Sequence, residues 1–462
     1  MITTIDYFLI SFYFFAIIFV GFLPKLKKSS NNSFVDFFLA GRTVTLPMFV
    51  MSLVATWYGS IVGVGEFIHS YGILTWFCFG LPYYIIAFLF AMFFAKKIRS
   101  NSFLSIPSAI EKKFGTKPSI IVAFLLLFIT IPAPYSLTLG VILQVILPIP
   151  LWATILLGTG ISLLIVSKGG LRSDLYANAV QFVLMFLGFG ILLLFSWATF
   201  GSPIEMFDKV PLFLKNPFDG SSIWIILSWS IIALQTFVDP SFHQRCAAAS
   251  SPKVAQRGIL VSIFFWFVFD TLTMITGLYS IVYIADKNPL VVFTSLSSIV
   301  LYTPWSGIFF VSILAIVMST LESYLLVSSS ILSLDILEKL PIKKKYLQFH
   351  LPSMLIVSIV SVIVSMNVPS ITTIIYIAAS VVVPGVFYPV VLSLLPNLTL
   401  RKGTTYFCIL LPPILVSSII VLKNFHTEQF IFFQNIEPMI PGMLVSTILV
   451  AFSLQKRSKF VI

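Results

Sequence analysis

Apolar residues run almost without interruption along this chain, and polar positions gather between the runs instead of alternating within them. Many runs exceed roughly 18 residues, the length at which a helix crosses the hydrocarbon of a bilayer. A membrane barrel would show short segments of period two. Continuous runs predict helices, which satisfy their own backbone groups in lipid. The pattern predicts about thirteen spans, at 5–24, 44–70, 72–95, 118–147, 149–167, 176–200, 222–244, 258–285, 305–337, 350–367, 370–395, 403–422 and 438–455. Three of them are long enough to require tilt, a break or an end outside the lipid. The longest aqueous segments lie at 97–117 and 201–221, so no soluble domain is left over. Within the first, "SIPSAIEKKFG" predicts a short amphipathic helix.

Two spans carry polar interruptions. The second holds "ATWYGSIVGVG", Ala55 to Gly65, with three glycines near mid-membrane, and the seventh holds "SWSIIALQTFVDP", Ser228 to Pro240. Five helices separate them, so they run in opposite directions. That is the pattern of inverted repeats whose broken helices meet at a midplane site. Ordinary packing of glycine-rich helices gives the same composition.

Composition agrees with a membrane class. Of 462 residues, 58% are hydrophobic and 10% charged, with mean hydropathy +1.05, against about 25% charged in soluble chains. A net charge of +12 raises nucleic acid as a partner, but its placement excludes that reading. With the inter-span segments assigned alternately to two sides, Lys209, Lys215, Lys287 and Lys423 fall on one and the remaining 24 of the 28 basic residues on the other. This asymmetry predicts an outside N-terminus and a cytoplasmic C-terminus. No basic residue precedes the first apolar run and "PKLKK" follows it, which argues against a cleaved signal peptide. Cys78, Cys246 and Cys408 form no metal or redox spacing, and the chain lacks a Gly-rich phosphate loop. ATP hydrolysis is therefore not expected.

One run concentrates side-chain oxygens: "LAIVMSTLESYLLVSSSIL", Leu314 to Leu332. Adjacent positions on a helix differ by about 100°, so Ser319 and Thr320 flank one groove. Hydroxyls beside free carbonyls of a broken helix make an oxygen nest suited to a hard cation. The competing explanation is hydrogen bonding back to the preceding turn.

Four stretches of the chain resemble the sodium:solute symporter family, which includes carriers of proline, pantothenate, sugars and choline. They are "DFFLAGR" (Asp36 to Arg42), "GGLRSDLYANAVQ" (Gly169 to Gln181), "DPSFHQRCAAA" (Asp239 to Ala249) and "LAIVMSTLESYLLVSSSILSLD" (Leu314 to Asp335), in family order and in the matching spans. The resemblance implies an all-α LeuT-type fold: one membrane transport domain over 1–462, built of two inverted five-helix repeats with broken helices, 44–200 and 222–395. One helix precedes them at 5–24 and two follow at 403–455. It implies Na+ as the coupling ion, held by the carbonyls of Ala55, Tyr58 and Ile316 and the hydroxyls of Ser319 and Thr320. Ser328 to Ser330 are then close-packing contacts.

The chain departs from the family in four places. Ala177-Asn178 stands where a Thr-Asp pair is frequent, which puts a second sodium in doubt. Ile61 and Val62 replace the Glu-Gln pair of the sugar carriers, which argues against a sugar. Trp57 occupies the position of an Asp in proline-like carriers. Asp270, in "FFWFVFDTLTM", is an acid where the family usually has none.

Acids inside a membrane are costly and point to function. Asp270 and Glu322 are candidates for gating or coupling; the alternative for Asp270 is a carboxyl bonded to Ser or Thr of a neighbouring helix, and Glu322 faces either the bundle or the cytoplasm. Asp239 and Arg245, near one end of the seventh span, are candidates for a gate or an ion pair. Glu66 and His69 form a lone E-x-x-H, which without a second copy does not make a di-iron site. Trp57, Tyr58, Trp229 and Gln235 are the candidate substrate contacts. An aromatic pair with an acid could cage a quaternary ammonium or stack on an amino acid.

The expectation is thus a multi-pass plasma (inner) membrane protein, not an enzyme, that imports a small organic solute with sodium by alternating access. The lipid bilayer and the solute are its partners, with no nucleic acid and no obligate protein partner implied. Two alternatives stand beside it: coupling to protons through Asp270 or Glu322, and a transport fold serving as a sensor or binding subunit.

Overall fold

The computed structural model describes residues 3–26, 34–101, 103–216, 222–284, 288–339, 346–368, 370–423 and 437–456. Lys27, Lys28, Lys287, Lys343, Lys344, Lys345, Arg457 and Lys459, which enter the charge pattern, lie outside them. Among the described residues, ten helices are long and apolar enough to cross a membrane. The remaining expected spans appear as the shorter helices Leu46–Ala55, Leu151–Ser167 and Met439–Ser453.

In chain order, α1 is Thr4–Leu26, and the first broken span is α2, Leu46–Ala55, followed by α3, Ile61–Tyr71. Trp76–Ser100 forms α4, and the expected amphipathic segment is α5, Ile106–Phe114. There Ser105 accepts from the Ser108 N–H while the Ser108 hydroxyl meets the Ser105 N–H, a reciprocal cap. Next come α6, Thr116–Thr130, and α7, Ala133–Ile146. Leu151–Ser167 is α8 and Gly169–Phe200 is α9, divided by Gly170 at φ +58°. The second broken span comprises α10, Ser222–Ile232, α11, Gln235–Val238, and α12, Pro240–Ala248. Then follow α13, Pro252–Tyr283; α14, Val292–Val300; α15, Trp305–Ser330; α16, Tyr346–Asn367; α17, Ile371–Ser393; α18, Thr404–Lys423; and α19, Met439–Ser453. A two-stranded antiparallel ribbon pairs β1, Leu398–Leu400, with β2, Leu454–Lys456.

The core surrounds α15. Its apolar window is wholly buried, whereas most other spans bury only a third to a half of theirs. The oxygen-rich run therefore faces protein and no lipid. Ser328 donates to the Thr130 carbonyl at 2.6 Å, an interhelical contact, while Ser329 and Ser330 bond back to Leu326 and Val327 of their own helix.

Three of the four motifs converge at the lysine-rich end. Arg172 pairs with Asp36 at 2.8 Å. Gly170 lies so close to the Phe37 carbonyl that a Cβ would stand 2.3 Å from it. Gln244 donates to the Phe38 carbonyl at 3.0 Å, and Val44 bridges to the end of α12 through Ala248 and Ser250. Residues separated by 200 positions thus close one clasp beneath the two broken spans.

Candidate functional site

The first break comprises Thr56 to Ser60, between α2 and α3. Gly59 allows it to touch α15, since a Cβ there would fall 2.2 Å from the Thr320 Cβ. No side chain fits, so the backbone of the break lies directly on the Ser-Thr pair. The Ser319 hydroxyl is 2.8 Å from the Ala55 carbonyl and 2.7 Å from that of Ile316. The Thr320 hydroxyl is 2.9 Å from the Thr56 carbonyl and 3.5 Å from Ile316. Four of the five expected ion ligands, Ala55, Ile316, Ser319 and Thr320, therefore cluster in a fully buried spot. The fifth, the Tyr58 carbonyl, accepts the Ile61 N–H at 2.9 Å on the far side of the break. Neutral oxygens from two helices suit a hard monovalent cation.

The second span breaks twice. Ala233 and Leu234 separate α10 from α11, and Asp239 separates α11 from α12. Pro240 supplies no N–H and fits the first turn of α12. Asp239 caps that turn by accepting from the Ser241 N–H at 2.7 Å.

A cavity of about 70 Å³ lies between the breaks. Trp57, Tyr58, Gln235, Asp239 and Asp270 line it, together with Phe79, Tyr83, Tyr135 and Tyr324. Two cavities are larger: one of about 440 Å³ at the lysine-rich end, lined by Lys96, Lys97, Lys112 and Lys113, and an apolar one of about 190 Å³ between α6, α7, α16 and α17, which adjoins the smaller cavity through Tyr135, Gln235 and Ile375. Neither combines an acid with the broken backbone, so the smaller cavity is the candidate site. Trp57 packs with ring centroids 5.0 to 5.5 Å from those of Tyr83 and Phe242, both edge-to-face, and of Trp266, tilted. Asp270 is held by the hydroxyls of Tyr58, at 2.9 Å, and of Tyr84. The donors are tyrosines, not the serine or threonine of the alternative expectation.

Two expectations need correction. Trp229 does not line the cavity. It packs on Phe67 and Phe79 and lies 6.2 Å from Tyr376, because α10 ends before the break and holds it one layer away. Asp239 and Arg245 do not pair either. Six residues apart on and before α12, they project to different neighbours: Tyr324 donates to Asp239 at 2.7 Å, and Arg245 reaches Asp174 of α9 at 3.5 Å. Arg245 also donates to the hydroxyls of Ser52, at 3.0 Å, Thr56, at 2.6 Å, and Ser323, at 3.0 Å. Asn178 joins the cluster through Ser52 and Asp174. A buried ion pair is thus hydrogen-bonded to the side chain of Thr56, whose carbonyl meets Thr320.

Glu322 faces the bundle and is fully buried beside Gln181. Among the described residues, the Gln181 side chain is the polar neighbour of its carboxyl, and no cation pairs with it. Glu66 stands toward the opposite end from the lysines, accepting from Ser370 at 3.0 Å and Thr372 at 3.2 Å. The three cysteines are free and buried. Among the described residues, no cluster of three or more His, Cys, Asp or Glu could hold a metal ion. Sequence reasoning missed Asp174. The available signal was its place one helical turn before Asn178, on the same face.

Comparison with known proteins agrees with this architecture. The sodium:solute symporter family model matches residues 37–409. A high-affinity choline transporter of Drosophila melanogaster is 26% identical over 195 residues, 41% of this chain and 31% of that protein. A high-affinity proline transporter of Bacillus subtilis is 26% identical over 251 residues, 52% of this chain and 53% of that protein. The chain thus spans about a third to a half of these relatives' lengths. The structure of a Na+-coupled sialic acid symporter in a substrate-bound outward-open state superposes with a TM-score of 0.80 over 99% of this chain and 100% of the other, at 15% identity, a likeness of fold.

Proposed function

The chain belongs to the sodium:solute symporter family, and on that footing we propose that it uses the sodium gradient to bring a small organic solute into the cell by alternating access. The observation that carries the reading is the junction of Ser319 and Thr320 with the Ala55 and Thr56 carbonyls. A sodium ion held by Ala55, Tyr58, Ile316, Ser319 and Thr320 ties α15 to the first break. The same break carries Trp57 and Tyr58 into the cavity, so ion binding orders the surface that meets the solute. Gln235 faces the solute from the second break. Asp239, Arg245 and Asp270 connect these breaks to neighbouring helices and are the residues through which gating or coupling acts. The 44–200 and 222–395 segments serve as the two repeats that move against each other. The lysine-rich end lies in the cytoplasm by the charge pattern.

The energetics suffice. One monovalent ion crossing about 100 mV down a tenfold gradient releases about 2.3 plus about 1.4 kcal/mol. That supports several-hundred-fold accumulation of a neutral solute. The test is purified protein in liposomes: solute uptake driven by an inward sodium gradient supports the reading, and uptake indifferent to sodium overturns it.

One observation favours a second reading, proton coupling. Glu322 is enclosed beside the Gln181 side chain with no countercharge paired to it among the described residues, an arrangement suited to a group that takes up and releases a proton. Uptake driven by a pH gradient with sodium absent would support it.

A further inference from the structure

We infer that the solute is a small organic cation, an amine or quaternary ammonium ion, seated on Trp57 with its charge facing Asp270. This deepens the symport reading and rests on the same cavity.

The charge balance of the cavity carries the argument. Two carboxylates line it, Asp239 and Asp270, and among the described residues no Lys, Arg or His does. The two acids are not equivalent. Asp239 caps α12, so the partial positive charge of that helix terminus faces it. Asp270 sits in mid-helix on α13, and its partners are two tyrosine hydroxyls, Tyr58 and Tyr84. Hydroxyls supply hydrogen bonds but no countercharge. Arg245, the buried cation near the first break, is committed to Asp174 and three hydroxyls. Asp270 therefore looks into the cavity without a cation of its own. An arriving ammonium would supply one, whereas a carboxylate or phosphate would meet two acids.

The remaining walls suit the same ligand. Trp57, Tyr83, Tyr135 and Tyr324 present aromatic surface, with Tyr135 and Tyr324 paired at 5.0 Å. Aromatic faces attract cations, most strongly when both are out of water. The space beside Asp270 is small, which suits a compact charged head, and the apolar cavity that adjoins it through Tyr135, Gln235 and Ile375 can take an uncharged remainder.

The test uses purified full-length protein and thermal shifts in NaCl or in KCl of equal ionic strength. Its probes are choline and tetramethylammonium, the uncharged isostere 3,3-dimethylbutan-1-ol, glucose and lactate. The expected result is stabilisation by the ammonium ions in NaCl, at least tenfold weaker for the isostere. Asp270→Asn should weaken choline at least tenfold. Asp270→Glu, which keeps the charge, should recover part of the affinity. The inference is overturned if the isostere binds as well as choline, if glucose or lactate is the stabilising solute, if none of the ammonium ions binds, or if Asp270→Asn keeps wild-type affinity. Sodium coupling is read separately: a missing NaCl shift with Asp270-dependent choline binding leaves the cation assignment standing and removes the sodium reading.

Discussion

Arg245 and Asp174 face each other across α12 and α9, Nη2 to Oδ2 at 3.5 Å, with both side chains wholly shielded from solvent. Removing one partner of such a pair leaves a buried charge uncompensated and costs about 3–5 kcal/mol. Arg245→Met and Asp174→Asn should each lower stability by that order, and the double variant should recover part of it. Denaturation in detergent followed by helical circular dichroism checks this. Asp239→Asn, which leaves the pair intact, should cost less than either; an equal loss would argue that Arg245 also relies on Asp239.

Ser319→Ala and Thr320→Ala should each raise the sodium concentration needed for half-maximal stabilisation at least tenfold, about 1.4 kcal/mol. Both variants should still insert into membranes. Thermal shift against NaCl, with KCl as the balancing salt, reads the effect. Unchanged sodium dependence in both would count against the ion assignment.

Gly59→Ala tests the same junction from the opposite side. Its Cβ would fall 2.2 Å from the Thr320 Cβ, so the break must move away from α15. The expected outcome is a fold that persists with its sodium response lost. Retention of that response would mean that the break does not contribute to the ion site.

Glu322→Gln separates the two coupling readings. Under sodium symport it should keep sodium-driven uptake within a few-fold of wild type. Under proton coupling it should abolish uptake driven by a pH gradient, measured in liposomes with sodium absent.

At the lysine-rich end, Lys339 lies 2.9 Å from Glu111 of α5 and 2.8 Å from Ser119 of α6. The hydrogen bond from Lys339 holds the Glu111 carboxyl below the usual glutamate range, with Thr116 assisting. A lowered carboxyl contributes stability above its unfolded value and loses it as pH falls through the folded one. Protection of α5 against hydrogen exchange should therefore weaken on acidification below the glutamate range. The pair is partly exposed, so its contribution is about 0–1 kcal/mol. Glu111→Gln should flatten the pH dependence of that protection.

The sequence made the helices legible because hydrophobicity alone sets their existence in lipid. It also exposed Ser319 and Thr320, since a hydroxyl pair in an apolar run is visible without a partner. Asp270 stood out for the same reason, although its tyrosine partners, 186 and 212 positions away, left no local trace. Asp174 was hidden, because an acid in "GGLRSD" reads as the end of a loop. Only the fold places it deep against Arg245. Trp229 misled because an aromatic in an apolar helix carries no mark of its depth. Helix α14 escaped notice because nine residues are too few to span a membrane.

The Ser319 hydroxyl has a single hydrogen and two carbonyls within reach, Ala55 and Ile316. A metal ion settling among these oxygens would compete with that hydrogen for the same lone pairs, and the hydroxyl would have to swing it aside. The side chain is then a latch as well as a ligand: without the ion it fastens the broken strand of backbone to α15, and with the ion it hands that duty over. Trimming it to a methyl would leave the empty carrier looser, and not only deaf to salt.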